Sequence, residues 1–377
     1  MKKVIIALVL GWTMIFLLHF DSFYFIEGIL SDKLTIKTRP IDPKIKILAI
    51  DSESLDKIGK FPWSRDAMAD LIDKIATGGA TAVWTDFLFT EQSSDPGEDK
   101  ALAQVVAKHN NVYLPVRFQF EALQKPKREL EQEYLKLPVV DIPKDRLGHI
   151  NVLPDKDNII RKALLGIPNL EEEIIPSIDV RLANLLLPEE SKITWDQNYV
   201  WQRGGEIIPI DERLLVGFAY ASSPAQSKYD IIPAWKVMQG KIDPAYFKDS
   251  LVLIGPYAPG LQEQFDTPMA KDQMYEVEIH ANITQALLDN ELYTKASKSR
   301  AIIIVVLVAV IGFVLFDWVK AKLGAIILFL LIIGHSGIVY YFYNSKAILL
   351  PYFYIIIALV LAYVAFMINQ HLEKRKE

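Results

Sequence analysis

The stretch Ile47–Phe89, ILAIDSESLDKIGKFPWSRDAMADLIDKIATGGATAVWTDFLF, decides the fold. The apolar run ILAI is followed by an irregular loop, an amphipathic helix, a turn at Gly78 and Gly79, and a second apolar run, AVWT. Two short apolar runs joined by a helical crossover predict a βαβ unit whose strands are parallel neighbours in one sheet. Each run ends in an aspartate, Asp51 and Asp86, so the two carboxylates are expected close together at the carboxyl edge of the sheet. Open α/β sheets bind ligands at that edge, which makes both residues candidates for the mouth of a pocket. The intervening GKFPWSR brings two aromatic rings, a proline and the guanidinium of Arg65 to the start of the helix.

Working outward, the α/β alternation continues. Asp99 to Lys108 reads as a helix and Asn111 to Phe118 as a strand. The highly charged Glu121 to Leu137 reads as an exposed excursion. Gly148 to Ile167 reads as a β-hairpin with an acidic tip, whose carboxylate spacing falls short of an EF-hand loop and fits an Asx-rich turn. Pro176 to Leu187 carries a helical apolar stripe, and Asp243-Pro244 has the form of a helix cap followed by proline at the first position. Ser250 to Gly255, SLVLIG, is an apolar strand of the buried type, followed by the Gly/Pro-rich loop GPYAPG. Val277 to Leu288 is the last helix of this region, with His280 near its start.

The flanks are apolar. Val4 to Phe20 is an uncharged run at the lower limit for spanning a bilayer, with no small-residue cleavage signature after it, so it reads as an uncleaved anchor. Ala301 to Phe316, Leu323 to Tyr343 and Ala347 to Ile368 are three further spans joined by tight connectors. Lys2 and Lys3, the Lys320/Lys322 loop and the basic tail place both termini in the cytoplasm. The expected architecture is an α/β extracytoplasmic domain, with a mixed, largely parallel sheet and flanking helices, plus an all-α membrane part of four transmembrane helices. Its boundaries are 1–20 for the anchor, 21–299 for the domain, 300–368 for three spans and 369–377 for a short tail.

Among the 377 residues there is no cysteine, which excludes disulfides, thiol catalysis and thiolate-bound zinc. A net charge of −5 with interspersed signs leaves no basic stripe for nucleic acid. No P-loop, H-E-x-x-H, G-x-S-x-G or G-x-G-x-x-G element is present, so no catalytic residue, cofactor or metal is assigned and the chain is not expected to be an enzyme. The spans carry no acidic residue within their apolar runs and no repeat symmetry, which argues against transport.

With these elements placed, ILAID-SESL-IG-FPWSR, ATAVWTDFLFTE, GHINVLPDKDNIIR, PSIDVRLA, IDPAYFKDSLVLIGPYAPGLQEQFDTP and EVEIHANITQALL together resemble the second type of CHASE domain. This is the cyclase- and histidine-kinase-associated sensory extracellular domain of bacterial receptors. The resemblance covers nearly the whole chain and implies an anchor, a periplasmic sensor and three spans in the inner membrane. In that family the last span feeds a cytoplasmic output module. Here Asn369 to Glu377 is too short for one, which leaves a sensor acting through a partner chain or the sensory portion of a longer chain.

The ligand-site candidates are Asp51, Arg65, Asp86, Gly255, Asp266 and His280. Asp51, Arg65 and Asp86 form either a ligand crevice or an ion pair that fixes a loop over the sheet. Gly255 either exposes backbone amides to a ligand or serves a turn. His280 and Asp266 either join the aspartates in a metal or pH-sensing site, or His280 is a hydrogen-bonded structural residue. The expected function is a membrane-anchored sensor with an unidentified extracytoplasmic ligand, working as a homodimer or with a signalling partner. The alternatives are a scaffold that docks another protein, and an ectoenzyme using both aspartates with a divalent metal.

Overall fold

The computed structural model describes residues 2–37, 39–120, 134–211, 213–224, 227–261, 264–269 and 273–375. Most of the charged excursion at 121–137 lies outside them. The chain forms two compact units, one of residues 36–292 and one of residues 1–35 with 293–377.

The larger unit is built on a seven-stranded sheet among the described residues. Its strands are β1 (Ile45–Ile50), β2 (Ala82–Thr85), β3 (Val112–Phe118), β4 (Leu135–Lys136), β5 (Leu147–His149), β8 (Asp230–Pro233) and β9 (Leu251–Pro256); β6 (Lys162–Leu164) and β7 (Leu215–Phe218) pair antiparallel apart from it. The order is β8-β1-β9-β2-β3-β4, with β5 also on β3, and every pair is parallel except β3 with β4.

The expected adjacency of β1 and β2 is corrected here: β9 lies between them, in register with both. The reason is burial. All six residues of β9 are buried, and a strand without a polar face belongs at the centre of a sheet covered on both sides. β1 carries Lys46, which reaches Asp230 on the adjoining edge strand at 2.8 Å.

Side chains alternate between two cores, as the period of a strand requires. Leu48, Ile50, Val83, Val252 and Ile254 face one side, under α2 (Arg65–Thr77) and α3 (Pro96–Lys108). Ile45, Ile47, Trp84, Leu251 and Leu253 face the other, with Ile178 and Leu182 of α4 (Ile178–Leu186) and Val277 and Ala281 of α6 (Glu276–Asp289). α6 is buried almost throughout, because its second face, Ile279, Ile283 and Leu287, packs on Val216 and Phe218 of β7.

Local signals account for the ends of the elements. Asp51 caps α1 (Ser52–Ile58), Ser64 caps α2 and Ser177 caps α4, each accepting a backbone N–H of the first turn. α5 (Ala234–Met238) follows β8 directly, and Asp243-Pro244 opens a 3-10 turn rather than an α-helix. The hairpin expected over Gly148–Ile167 is corrected: β5 pairs with β3 and β6 with β7, and a single bridge joins Val152 and Ala163. In the acidic turn between them the carboxylates of Asp155 and Asp157 receive the buried Arg161 guanidinium, with Asp157 at 2.7 Å.

The second unit holds four helices long and apolar enough to cross a membrane, Lys2–His19, Lys298–Asp317, Ala321–Lys346 and Phe353–Glu373 within the helix Phe353–Lys374. Met14, Val305, Ala309, Ala358 and Leu359 form their shared core, and Gly312 lies against Ala362. The last helix begins later than the sequence suggests: Ile348 and Leu349 pair with Thr294 and Lys295, and Pro351 precedes the helix. Its first N–H groups at Tyr352 and Phe353 are taken by the Glu27 carboxylate at 2.7 and 2.8 Å, a cap supplied by the helix Tyr24–Thr35.

Gly255 shows how tightly α6 sits on the sheet, since a Cβ there would lie 2.6 Å from Cβ of Val277. Gly255→Ala is therefore expected to lower stability by about 1–3 kcal/mol. The loss should be smaller when it is introduced into a Val277→Ala background, a non-additivity measured by denaturing the detergent-solubilised chain.

Candidate functional site

The site grows from the carboxyl end of β2. Asp86 follows Thr85 directly, its N–H held by the Ile254 carbonyl at 2.8 Å, and the residue is 3% exposed. Two elements converge on it from the α6 side. α6 begins with Glu276, where a carboxylate is favoured by the helix dipole, and His280 follows one turn later on the same face. In α4, Asp179 lies in the first turn and its carboxylate meets His280 Nδ1 at 3.0 and 3.1 Å. The Thr284 hydroxyl donates to the same carboxylate at 3.4 Å, and the Trp84 ring meets His280 edge-on, with centroids 5.1 Å apart.

One ligand atom each of Asp86, Glu276 and His280 lie within 4.8 Å of one another. Burial alone would lower the His280 pKa, but Asp179, with Asp86 and Glu276 beyond it, holds it up at about 9. His149 behaves oppositely. It is 1% exposed, accepts a hydrogen bond from the Asn151 N–H at Nδ1, and is pushed down to about 3 by burial and by the charge of His280.

Asp86 and Glu276 also line a cavity of about 450 Å³ at this edge of the sheet. Its walls carry Phe61, Trp63, Phe87 and Phe89, with Phe61 and Phe87 4.9 Å apart between ring centroids. Arg65 and Arg117 supply its cationic rim. The Arg65 guanidinium is paired with Asp99 and the Glu91 carbonyl and lies over the Phe89 ring, so it ties the segment after β2 onto α2. Arg117, at the exposed end of β3, makes no ion pair among the described residues.

Of the residues singled out in the sequence, Arg65, Asp86 and His280 come together here. Asp51 does not: with β9 inserted, it stands two strands from Asp86, about 9.5 Å by strand spacing, and its carboxylate accepts the Ser54 N–H. The Asp51–Arg65 pairing is replaced by Arg65 with Asp99. A Cβ at Gly255 would meet Val277. Asp266 lies beside Ile159 in an isolated bridge and receives the Gln273 amide at 3.3 Å, away from the cavity. Glu276, Asp179 and Arg117 went unnoticed in the sequence. The i, i+4 spacing of Glu276 and His280 was a readable signal; nothing in the sequence joins Asp179 to them.

The buried neutral His149 has a consequence for acid stability. Below pH 6.5 the unfolded chain takes up a proton there that the folded chain refuses until about pH 3, so stability falls as pH falls through that window. The contribution is about 1.4 kcal/mol per pH unit. His149→Gln is expected to flatten the pH dependence of unfolding by that slope between pH ~6 and ~4, read from fluorescence of the buried Trp84 and Trp201.

Residues 4–315 match the family model of the CHASE2 domain. Comparison with curated proteins found no match, and neither did comparison with solved structures. The match spans the α/β unit together with the first apolar helix and most of the second, and the chain belongs to the CHASE2 family of sensory domains.

Proposed function

We propose that the chain is a bacterial receptor in the inner membrane, a non-enzymatic sensor. Its α/β unit lies outside the cytoplasm and takes a small amphipathic molecule into the aromatic cavity. The observation that carries this reading is the cavity itself: aromatic walls, two buried carboxylates and an arginine outside the described ion pairs, at the carboxyl ends of parallel strands. The four apolar helices and the lysines at 2, 3, 320 and 322 support a reading of four spans with both termini inside. α6 carries Glu276 and His280 and leads through residues 290–297 into the helix Lys298–Asp317, a short covalent path from the cavity to the membrane. A change in α6 on ligand binding would reach a second copy of the chain or a signalling partner by helix shifts.

A ligand at a hundredfold excess over Kd is expected to stabilise the chain by about 2.7 kcal/mol, visible as a thermal shift of the solubilised protein against a panel of small organic molecules. Arg117→Ala or Phe87→Ala should abolish the shift. Asp51→Ala should keep it while lowering baseline stability by about 1 kcal/mol through the lost cap. If no molecule shifts the protein, docking of a partner protein becomes the better reading, tested by what co-purifies from membranes.

The absence of cysteine makes the topology directly testable. Lys60→Cys is expected to react with a membrane-impermeant maleimide in intact cells, and Lys320→Cys only after the membrane is opened. The reverse pattern would invert the orientation.

A further inference from the structure

We propose that Asp86, Glu276 and His280 bind one divalent transition cation, of the Zn²⁺ or Mn²⁺ type, in the buried wall of the cavity, with Asp179 as the residue that positions the imidazole. The proposal deepens the sensory reading, resting on it only for what the cation would meet in the cavity.

Three observations carry it. The candidate ligand atoms come from two elements far apart in sequence and lie within 4.8 Å of one another. Ligands at about 2.0–2.2 Å from a common ion stand about 3–4.4 Å apart, so small side-chain rotations close the set.

Second, His280 is 1% exposed, and its Nε2 has no hydrogen-bond partner among the described residues. Two other buried polar side chains of α6 are satisfied by backbone groups. Asn282 accepts the Ala221 and Ser222 N–H groups at 3.0 Å each, and Gln285 accepts the Asp42 N–H at 2.7 Å. With Nδ1 taken by Asp179, Nε2 is the nitrogen left for the cluster, and an imidazole whose far nitrogen is held by a carboxylate is the usual arrangement of a metal-bound histidine.

Third, Asp86 and Glu276 line the cavity, so the remaining coordination positions would open toward water or an anionic group of the sensed molecule. The donor set chooses the ion. Nitrogen beside two carboxylates suits zinc or manganese, whereas calcium and magnesium require oxygen ligands throughout.

The test uses the full-length solubilised protein, stripped with EDTA and titrated with Zn²⁺ or Mn²⁺ alone, followed by calorimetry and thermal unfolding. One equivalent is expected to bind. Asp86→Asn and Glu276→Gln should each weaken binding at least tenfold, Asp179→Asn by about 10–100-fold, and Asp51→Ala, outside the cavity, not at all. Because a variant could fail to fold, bound Mn²⁺ in the wild-type protein grown with ¹⁵N-histidine provides a second reading, with nitrogen coupling in its electron paramagnetic spectrum expected. Three results would overturn the proposal: no binding of either ion, equal binding by folded Asp86→Asn and Glu276→Gln, or Mn²⁺ bound without nitrogen coupling. Cation binding in a protein that takes no organic molecule would sink the small-molecule reading and leave this site standing. Organic-ligand binding in a protein that takes neither cation would do the reverse.

Discussion

The close approach of α6 to β9 is the constraint on which the rest of the larger unit depends. Gly255 removes the one side chain that would hold the helix off the sheet, and Val277 fills the space. The contact is at the carboxyl end of the strand, so the first turn of α6 lies over the edge where β2 delivers Asp86. Glu276 and His280 flank Val277 in that turn. A glycine whose role is steric thus fixes the place of three ionisable side chains, and the α4 helix completes the arrangement by bringing Asp179 to the far side of the imidazole.

Burying so many charges together needs compensation. An isolated ionised group costs several kcal/mol to bury, and pairing offsets this only where geometry is good. Asp179 and His280 meet that condition, with both carboxylate oxygens within 3.1 Å of one ring nitrogen and a threonine hydroxyl nearby. His149 lies in the same interior without a carboxylate partner and is kept neutral. Two histidines in one core therefore titrate on opposite sides of their ordinary value because one has an acidic neighbour and the other has not.

The second unit follows different rules. Its four long helices are apolar enough to cross a membrane, and small residues line their contacts: Gly312 lies against Ala362, and Ala309 and Ala358 are buried in the shared core. Polar groups are few: Glu27 satisfies the N–H groups of the last helix, Lys3 meets Asp317 at 2.7 Å, and His335 and Ser336, inside the helix Ala321–Lys346, bond Tyr352.

The sequence by itself determined the class of each segment, because hydrophobic period and length are local properties. The apolar helices, the alternation of strand and helix, the cap at Asp243 and the family were all legible in it. It also marked Arg65, Asp86 and His280. Strand order was decided only in three dimensions: the local pattern of Ile47–Phe89 suits neighbouring strands equally well, and the wholly apolar LVLIG, two hundred residues later, displaces that arrangement by claiming the centre of the sheet. That insertion moves Asp51 out of the site and leaves it a helix cap. Asp86 beside His280 was among the expectations, but Asp179 was hidden, since it reaches the ring only through packing of α4 against α6. A carboxylate one hundred residues away becomes a neighbour only when two helices and a sheet share one core.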